Sequence, residues 1–226
     1  MLKSYLVPVI FIFLVSCSGY RLKRGENSLF YNENIRSLSV PMFINKTMYP
    51  HVAGALTVET SRVLSSVSGL TIYSGENDKA DAILVGVVSS PLREAESIFT
   101  NSIKATEGSL DSSLGNRSGF FVPLSSRYQI SVRYFLIKSP SAYELELLKS
   151  KVAGQLEENL MANPKVVFNQ TFNYQASFNR EVATNEGPDS GGVVNYSKTK
   201  KFFEQSLDGV AKNAARDLRE LILNVF

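Results

Sequence analysis

The chain is poor in the residues that most catalytic and metal-binding chemistry requires. Its 226 residues include one cysteine, Cys17, and one histidine, His51. A single cysteine excludes an intramolecular disulfide, so the fold must stand on packing. A zinc site would have to join His51 to three carboxylates, a poor match to the metal's usual nitrogen and sulfur ligands. Beside Pro50, at the start of a helix, His51 reads as a structural or surface residue. No G-x-S-x-G elbow and no Walker loop is present. Gly191-Gly192 reads as a loop pair, and Glu94 and Glu96, two apart, share no helix face on which to act as a dyad. Charge of one sign is also scarce: 24 basic against 21 acidic side chains is too near balance to argue for nucleic acid. Long apolar runs are missing as well. The mostly apolar stretch from Tyr5 to Val15 is about half of the ~20 residues needed to span a bilayer. These absences lead to the expectation of a non-enzyme with no metal and no bound cofactor.

The N-terminus, by contrast, is informative. Lys3, the apolar stretch to Val15 and a turn to polar sequence at Ser18-Gly19-Tyr20-Arg21 make a secretory signal. Leu14-Val15-Ser16-Cys17 resembles a bacterial lipobox, with Leu at −3 and a small Ser at −1. The resemblance implies cleavage before Cys17, a thioether-linked diacylglycerol on its sulfur and an N-acyl chain on its amine. Each chain contributes ~0.8 kcal/mol per buried methylene, and two or more chains anchor stably. Residues 1–16 are then a signal peptide and 17–34 a lipidated tether, leaving 35–226 as one domain. The mature chain has 210 residues with 23 basic and 21 acidic side chains, since Lys3 leaves with the signal. Sequons at Asn45, Asn116, Asn169 and Asn195 read as chance beside a bacterial lipobox.

Periodicity supplies the elements. Ile35 to Val40 alternates and ends at Pro41, a short strand. Pro50 opens a helix whose stripe is Val52, Leu56, Val63 and Val67, filled by Ala55 and Thr60 and closed by Gly69. Leu70 to Tyr73 resumes as a strand, and Ala82 to Val88, almost continuously apolar, suits a strand covered on both faces or central in a sheet. Phe99 to Ser126 is rich in Ser, Gly and Asn without a period and reads as a long loop. Tyr128 to Leu136 and Val166 to Phe178 alternate cleanly. In the second, Asn169, Thr171, Asn173, Gln175 and Ser177 form an unbroken polar row. Ser141-x-x-Glu144 is a capping box ahead of Leu145, Leu148, Val152, Leu156 and Leu160, an inserted helix closed by Pro164. Phe203, Leu207, Val210, Ala211, Ala214, Leu218, Leu221, Ile222 and Val225 make one stripe along a final helix of about 25 residues, about 37 Å. Asp208–Lys212 and Arg216–Glu220 are spaced as i,i+4 pairs along it.

The order implies an α+β two-layer sandwich: a mixed sheet of about four strands, two main helices on one face, and an inserted helix. The polar row would then lie on the open face of the sheet.

Several stretches resemble the lipopolysaccharide-assembly lipoprotein family LptE. They are Cys17-Ser18-Gly19-Tyr20-Arg21-Leu22, Ile35 through Thr47, Leu56-Thr57, Ala80-Asp81-Ala82-Ile83-Leu84-Val85-Gly86 and the long terminal helix, in that order. The resemblance implies a small sheet carrying two helices on one face. It also implies a lipid-anchored protein on the periplasmic side of the outer membrane, a placement compatible with Ser18 after Cys17. The implied partners are the β-barrel LptD, which members of the family plug and help to assemble, and lipopolysaccharide itself. Arg93, Lys104, Arg117, Lys149 and Lys151 are the candidates for contact with lipid A phosphates, where a bidentate Arg or a Lys beside apolar groups is wanted. The segments 99–126 and 139–165 are longer than a compact version of that fold needs. The stretch Val40 to Thr47 also resembles the opening of LpoB-like activators of peptidoglycan synthases and of the TolB N-terminal domain. An activator usually needs a long tether, and Tyr20 to Asn34 is short.

Overall fold

A computed structural model describes residues 28–90, 98–104, 121–149, 153–180 and 196–224. The described chain forms helix α1 (Leu29–Asn32), strands β1 (Ser37–Val40) and β2 (Ile44–Asn45), helix α2 (Val52–Leu64), and strands β3 (Thr71–Ser74), β4 (Ala82–Ser89), β5 (Ile98–Lys104) and β6 (Phe121–Lys138). Helices α3 (Ala142–Lys149) and α4 (Ala153–Ala162), strand β7 (Val166–Asn179) and helix α5 (Tyr196–Asn224) complete it.

All seven strands join one mixed sheet. On one side β3, β1 and β4 run parallel, and the two-residue β2 also lies parallel to β4, so β1 and β2 lie along one edge of it. On the other side β6 runs antiparallel to β4, β5 and β7. At 18 residues, about 60 Å, β6 is the spine of the sheet. Ser131–Lys138 pairs with β4 and Phe121–Tyr128 with β5, while β7 follows the opposite edge from Ser125 to Ile137. Pro123 faces the register shift in β5 between Asn101 and Ser102, where its missing N–H is least disruptive.

The sheet expected to have about four strands is therefore larger, and 99–126 is not one long loop. Its two ends are β5 and the start of β6. Ser, Thr and Asn give a strand no apolar period, and cross-strand backbone bonds hold it instead. The two main helices, α2 and α5, share one face as expected, and the inserted helices lie on the other. Leu38, Val40, Leu84, Val88, Ile130, Val132, Tyr134 and Leu136 point toward α2 and α5, whose buried stripes are Val52, Leu56, Thr60 and Leu64, and Leu207, Val210, Ala211, Ala214, Leu218 and Ile222. Ile83, Val85, Val87, Phe135 and Ile137 point the other way, onto Leu156 and Leu160 of α4, with Leu145 and Leu148 of α3 alongside. The unbroken apolar run of β4 has this cause: it is covered on both faces. The insertion comprises two helices rather than one, and it forms a partial third layer.

Short-range contacts explain the motifs around the parallel strands. Asp81 accepts hydrogen bonds from the Arg36 and Ser37 amides at 2.9 and 2.8 Å and from the Ser37 hydroxyl at 2.8 Å, joining the entry of β4 to that of β1. Those bonds, the Ser37 hydroxyl first, hold its carboxyl below the usual range. The Phe43 ring lies over Gly86, where an added Cβ would stand 2.5 Å from it, and meets Tyr134 edge-on at 5.7 Å. Thr57 accepts from the Phe43 amide at 2.9 Å and donates to the Ala53 carbonyl at 2.7 Å. Leu29 and Phe30, within the expected tether, are buried in the main core.

The capping box closes the insertion. Glu144, 4% exposed, accepts from the Ser141 amide at 2.7 Å and from the Ser141 hydroxyl. It also takes Asn163 and Lys165, both at 3.2 Å, so one carboxylate ties the start of α3 to the chain leaving α4. Burial alone would raise its pKa, but the bonds from Ser141, Asn163 and Lys165 bring it down to about 2. Lys46 pairs with Glu157, fastening α4 to the loop after β2. Helix α5 runs for 29 residues, longer than its apolar stripe, about 44 Å. Arg216 lies against Asn213 and Asp217, at 3.3 and 3.8 Å, rather than Glu220.

Candidate interaction surface

Beyond the reach of α3 and α4, nothing among the described residues covers the outer face of the sheet. Alternation along β6 and β7 places Arg127, Gln129, Ser131 and Arg133 opposite Ser177, Gln175, Asn173 and Thr171, with Asn169 next in line. All five residues of the polar row on β7 are exposed, as their spacing predicts. The face is laced by side chains rather than left loose. Gln129 donates to Gln175 at 3.1 Å, Ser131 to Asn173, and the Arg133 guanidinium to Asn169 at 2.9 Å. The same guanidinium lies 5.1 Å from the centre of the Phe135 ring, where the open face meets the insertion. The result is a strip of neutral amides and hydroxyls with two arginines and no carboxylate among these nine residues. Such a strip can accept and donate hydrogen bonds along its length and can bind anionic groups at Arg127 and Arg133.

The inner face of the same strands is aromatic. Tyr128, Phe178 and Phe203 pack together, with centroids 5.3 to 6.4 Å apart, and Tyr49 joins Tyr128 at 5.4 Å. The Tyr128 hydroxyl meets Ser206 at 2.9 Å. Deeper, the Tyr134 hydroxyl faces that of Thr60 without reaching hydrogen-bond geometry, and both are fully buried. Tyr174 donates to Asp217 at 3.1 Å. Burial first, then the Asp217 carboxylate, pushes the Tyr174 phenol up, and burial does the same to Tyr134. Both phenols are thus held neutral between sheet and helices, Tyr174 as a donor to Asp217 and Tyr134 without a hydrogen-bond partner.

Of the five expected phosphate contacts, only Lys104 and Lys149 fall among the described residues, and they lie at different ends of the sheet. Lys104 ends β5 opposite Phe121, at one extremity of β6, whereas α3, which carries Lys149, follows its other end at Lys138. Lys149 is exposed and engaged with Glu76 at 3.5 Å. Arg93, Arg117, Lys151 and the lipidation residue Cys17 lie outside the described residues. The two arginines that the fold does bring to one face, Arg127 and Arg133, were not among the candidates. Their signal was present: they share the polar parity of Gln129 and Ser131 in an alternating strand. His51 is exposed at the start of α2, with a left-handed φ of 65°. Among the described residues no group of three or more His, Cys, Asp and Glu could hold a metal, and no helix is long and apolar enough to cross a membrane.

No family model matches the chain, and no curated protein sequence matches it. Solved structures do. The PelC dodecamer of Paraburkholderia phytofirmans is 13% identical, covering 83% of this chain and 87% of that one, with a TM-score of 0.38. Rare lipoprotein B of Shewanella oneidensis is 8% identical, covering 84% and 98%, with a TM-score of 0.37. Lipoprotein GNA1162 of Neisseria meningitidis is 10% identical, covering 77% and 97%, with a TM-score of 0.31. The structures this chain is similar to thus include bacterial lipoproteins, at a likeness too low to carry a partner or a function across.

Proposed function

We propose that this chain is a lipid-anchored, non-enzymatic partner of an LptD-type outer-membrane β-barrel, acting as its plug and assembly partner in lipopolysaccharide transport to the outer leaflet. The lipobox at Leu14–Cys17 supports the anchor, with acyl chains on Cys17 as its only covalent additions and the periplasmic side of the outer membrane as its place. The ordered motifs from Ile35 to Gly86 support the family. The observation that carries the reading is the open face of β6 and β7, a strip of amides and hydroxyls with Arg127 and Arg133 and no carboxylate among its nine residues. The lumen of a large barrel is polar and water-filled, and a face whose amides and hydroxyls satisfy one another can sit against such a wall while its two arginines stay solvated or meet acidic groups. Arginines on that face suit the phosphates of lipopolysaccharide.

Co-purification from detergent-solubilised outer membranes through a C-terminal tag tests the reading. A large β-barrel recovered one-to-one is the expected result. Recovery of a peptidoglycan synthase would move the function to an LpoB-like activator, and recovery of no partner would contradict the plug.

A further inference from the structure

Among the described residues, strand β7 has a partner on one edge only. It pairs with β6 from Ser125 to Ile137, and among the described residues no strand pairs with its other edge. Native sheets usually guard such an edge with lysine, proline, a charge turned inward, or a short strand. Here the edge strand is 14 residues long and contains no charged residue, no proline and no glycine. The other end strands of the sheet, β3 and β5, are four and seven residues long, and β5 ends in Lys104, so among the described residues the longest unguarded edge is that of β7.

The sequence of β7 is also complementary to itself. If two copies meet antiparallel about a twofold axis through Asn173, Thr171 stands opposite Gln175 of the second copy and Asn169 opposite Ser177. On the inner face Phe172 stands opposite Tyr174, and Phe168 opposite Phe178. From Asn169 to Ser177 each outer-face polar side chain then meets an amide or hydroxyl, the aromatics meet aromatics with Gln170 opposite Ala176 between them, and no like charges oppose. Outer-face parity is kept, so the polar strip continues across both copies. Near one end of the seam the Ser177 carbonyl accepts from the Ser206 hydroxyl at 3.3 Å.

We infer that β7 is a pairing edge for a second copy of this chain, forming an isologous antiparallel seam centred on Asn173. The inference is independent of the barrel reading: it requires only the edge and its sequence.

The test uses the full lipidated chain in mild detergent, followed by sedimentation and by oxidative crosslinking of Asn173→Cys, whose partner in a twofold seam is itself. A dimer in sedimentation and an oxidised band at twice the chain mass are expected, while a cysteine at exposed Lys212 on α5 gives no such band. Asn173→Lys places two lysines at the axis and is expected to weaken self-association about tenfold or more. Asn173→Ala loses the same hydrogen bond from Ser131 without adding charge and should still dimerise, which separates a charge effect at the seam from damage to the strand. A chain that is monomeric at high concentration, a dimer indifferent to Asn173→Lys, or an Asn173→Cys crosslink to a different protein would overturn the inference.

Discussion

Along β4 and the adjoining stretch of β6, both faces are covered: Ile83 to Val88 and Tyr134 to Ile137 are buried to a side chain, whichever way they point. On β7, one strand away, Asn169, Thr171, Asn173, Gln175 and Ser177 are all exposed, and only their neighbours pack. The two regions share hydrogen-bond geometry and differ in what lies above them. α4 delivers Leu156 and Leu160 to one, and nothing among the described residues covers the other. The difference separates the part of the sheet that makes the fold from the part that the proposed partner would use.

Substitutions should divide along that line. The largest loss is expected at Phe135, which fills the second core between β4 and α4. Phe135→Ala should cost about 3–5 kcal/mol in urea or thermal unfolding. Gly86→Ala comes next, because its Cβ would stand 2.5 Å from the Phe43 ring and push it off Tyr134. About 1–3 kcal/mol is expected, from overpacking. Equal stability of Gly86→Ala and the parent would show that Phe43 is free to move.

The insertion offers a pH-dependent test. Glu144 has a folded pKa of about 2, below its ordinary value of 4.5. A depressed carboxylate stabilises the fold fully above the unfolded value, and that contribution fades as pH falls from about 4.5 toward 2. In Glu144→Gln the contribution is absent throughout, so the stability gap between parent and variant should close across that window. A gap unchanged between pH 5 and pH 2.5 would mean that the ties to Ser141, Asn163 and Lys165 do not depend on its charge. The smallest effect is expected on the open face: Gln175→Ala should change stability by no more than about 0.5 kcal/mol. A loss as large as that at Phe135 would mean that the face is a structural surface and would erase the contrast.

Much of this contrast was legible in the residues. The unbroken apolar run of Ala82 to Val88 announced a strand covered on both sides, and the row from Asn169 to Ser177 announced a wet face. Phe135 and Ile137 interrupted the polar row of β6, and that interruption marks where α4 packs. What escaped did so for physical reasons. β2 is two residues long and has no period to read. β5, Ile98–Lys104, has Thr100, Asn101 and Ser102 at its centre, which breaks any apolar alternation, and its strand pairing is with β6. The insertion's leucines gave the helical spacing but not the face of the sheet it would cover. The phosphate candidates were drawn from loops and from the insertion, whereas the fold sets Arg127 and Arg133 side by side with amides on a strand. The motifs that carry the family resemblance have structural duties within the domain: Asp81 grips Ser37, and Phe43 lies on Gly86.

The central claim is that the open face of β6 and β7 meets the wall of a barrel. Its most direct test is a photo-crosslinking residue at Gln175, activated in intact cells, with the attached protein identified by mass. The account predicts capture of a large outer-membrane β-barrel from Gln175 and none from Lys212 on the exposed side of α5. Capture of a peptidoglycan synthase, or of no protein from Gln175 while the chain is folded and anchored, would contradict it.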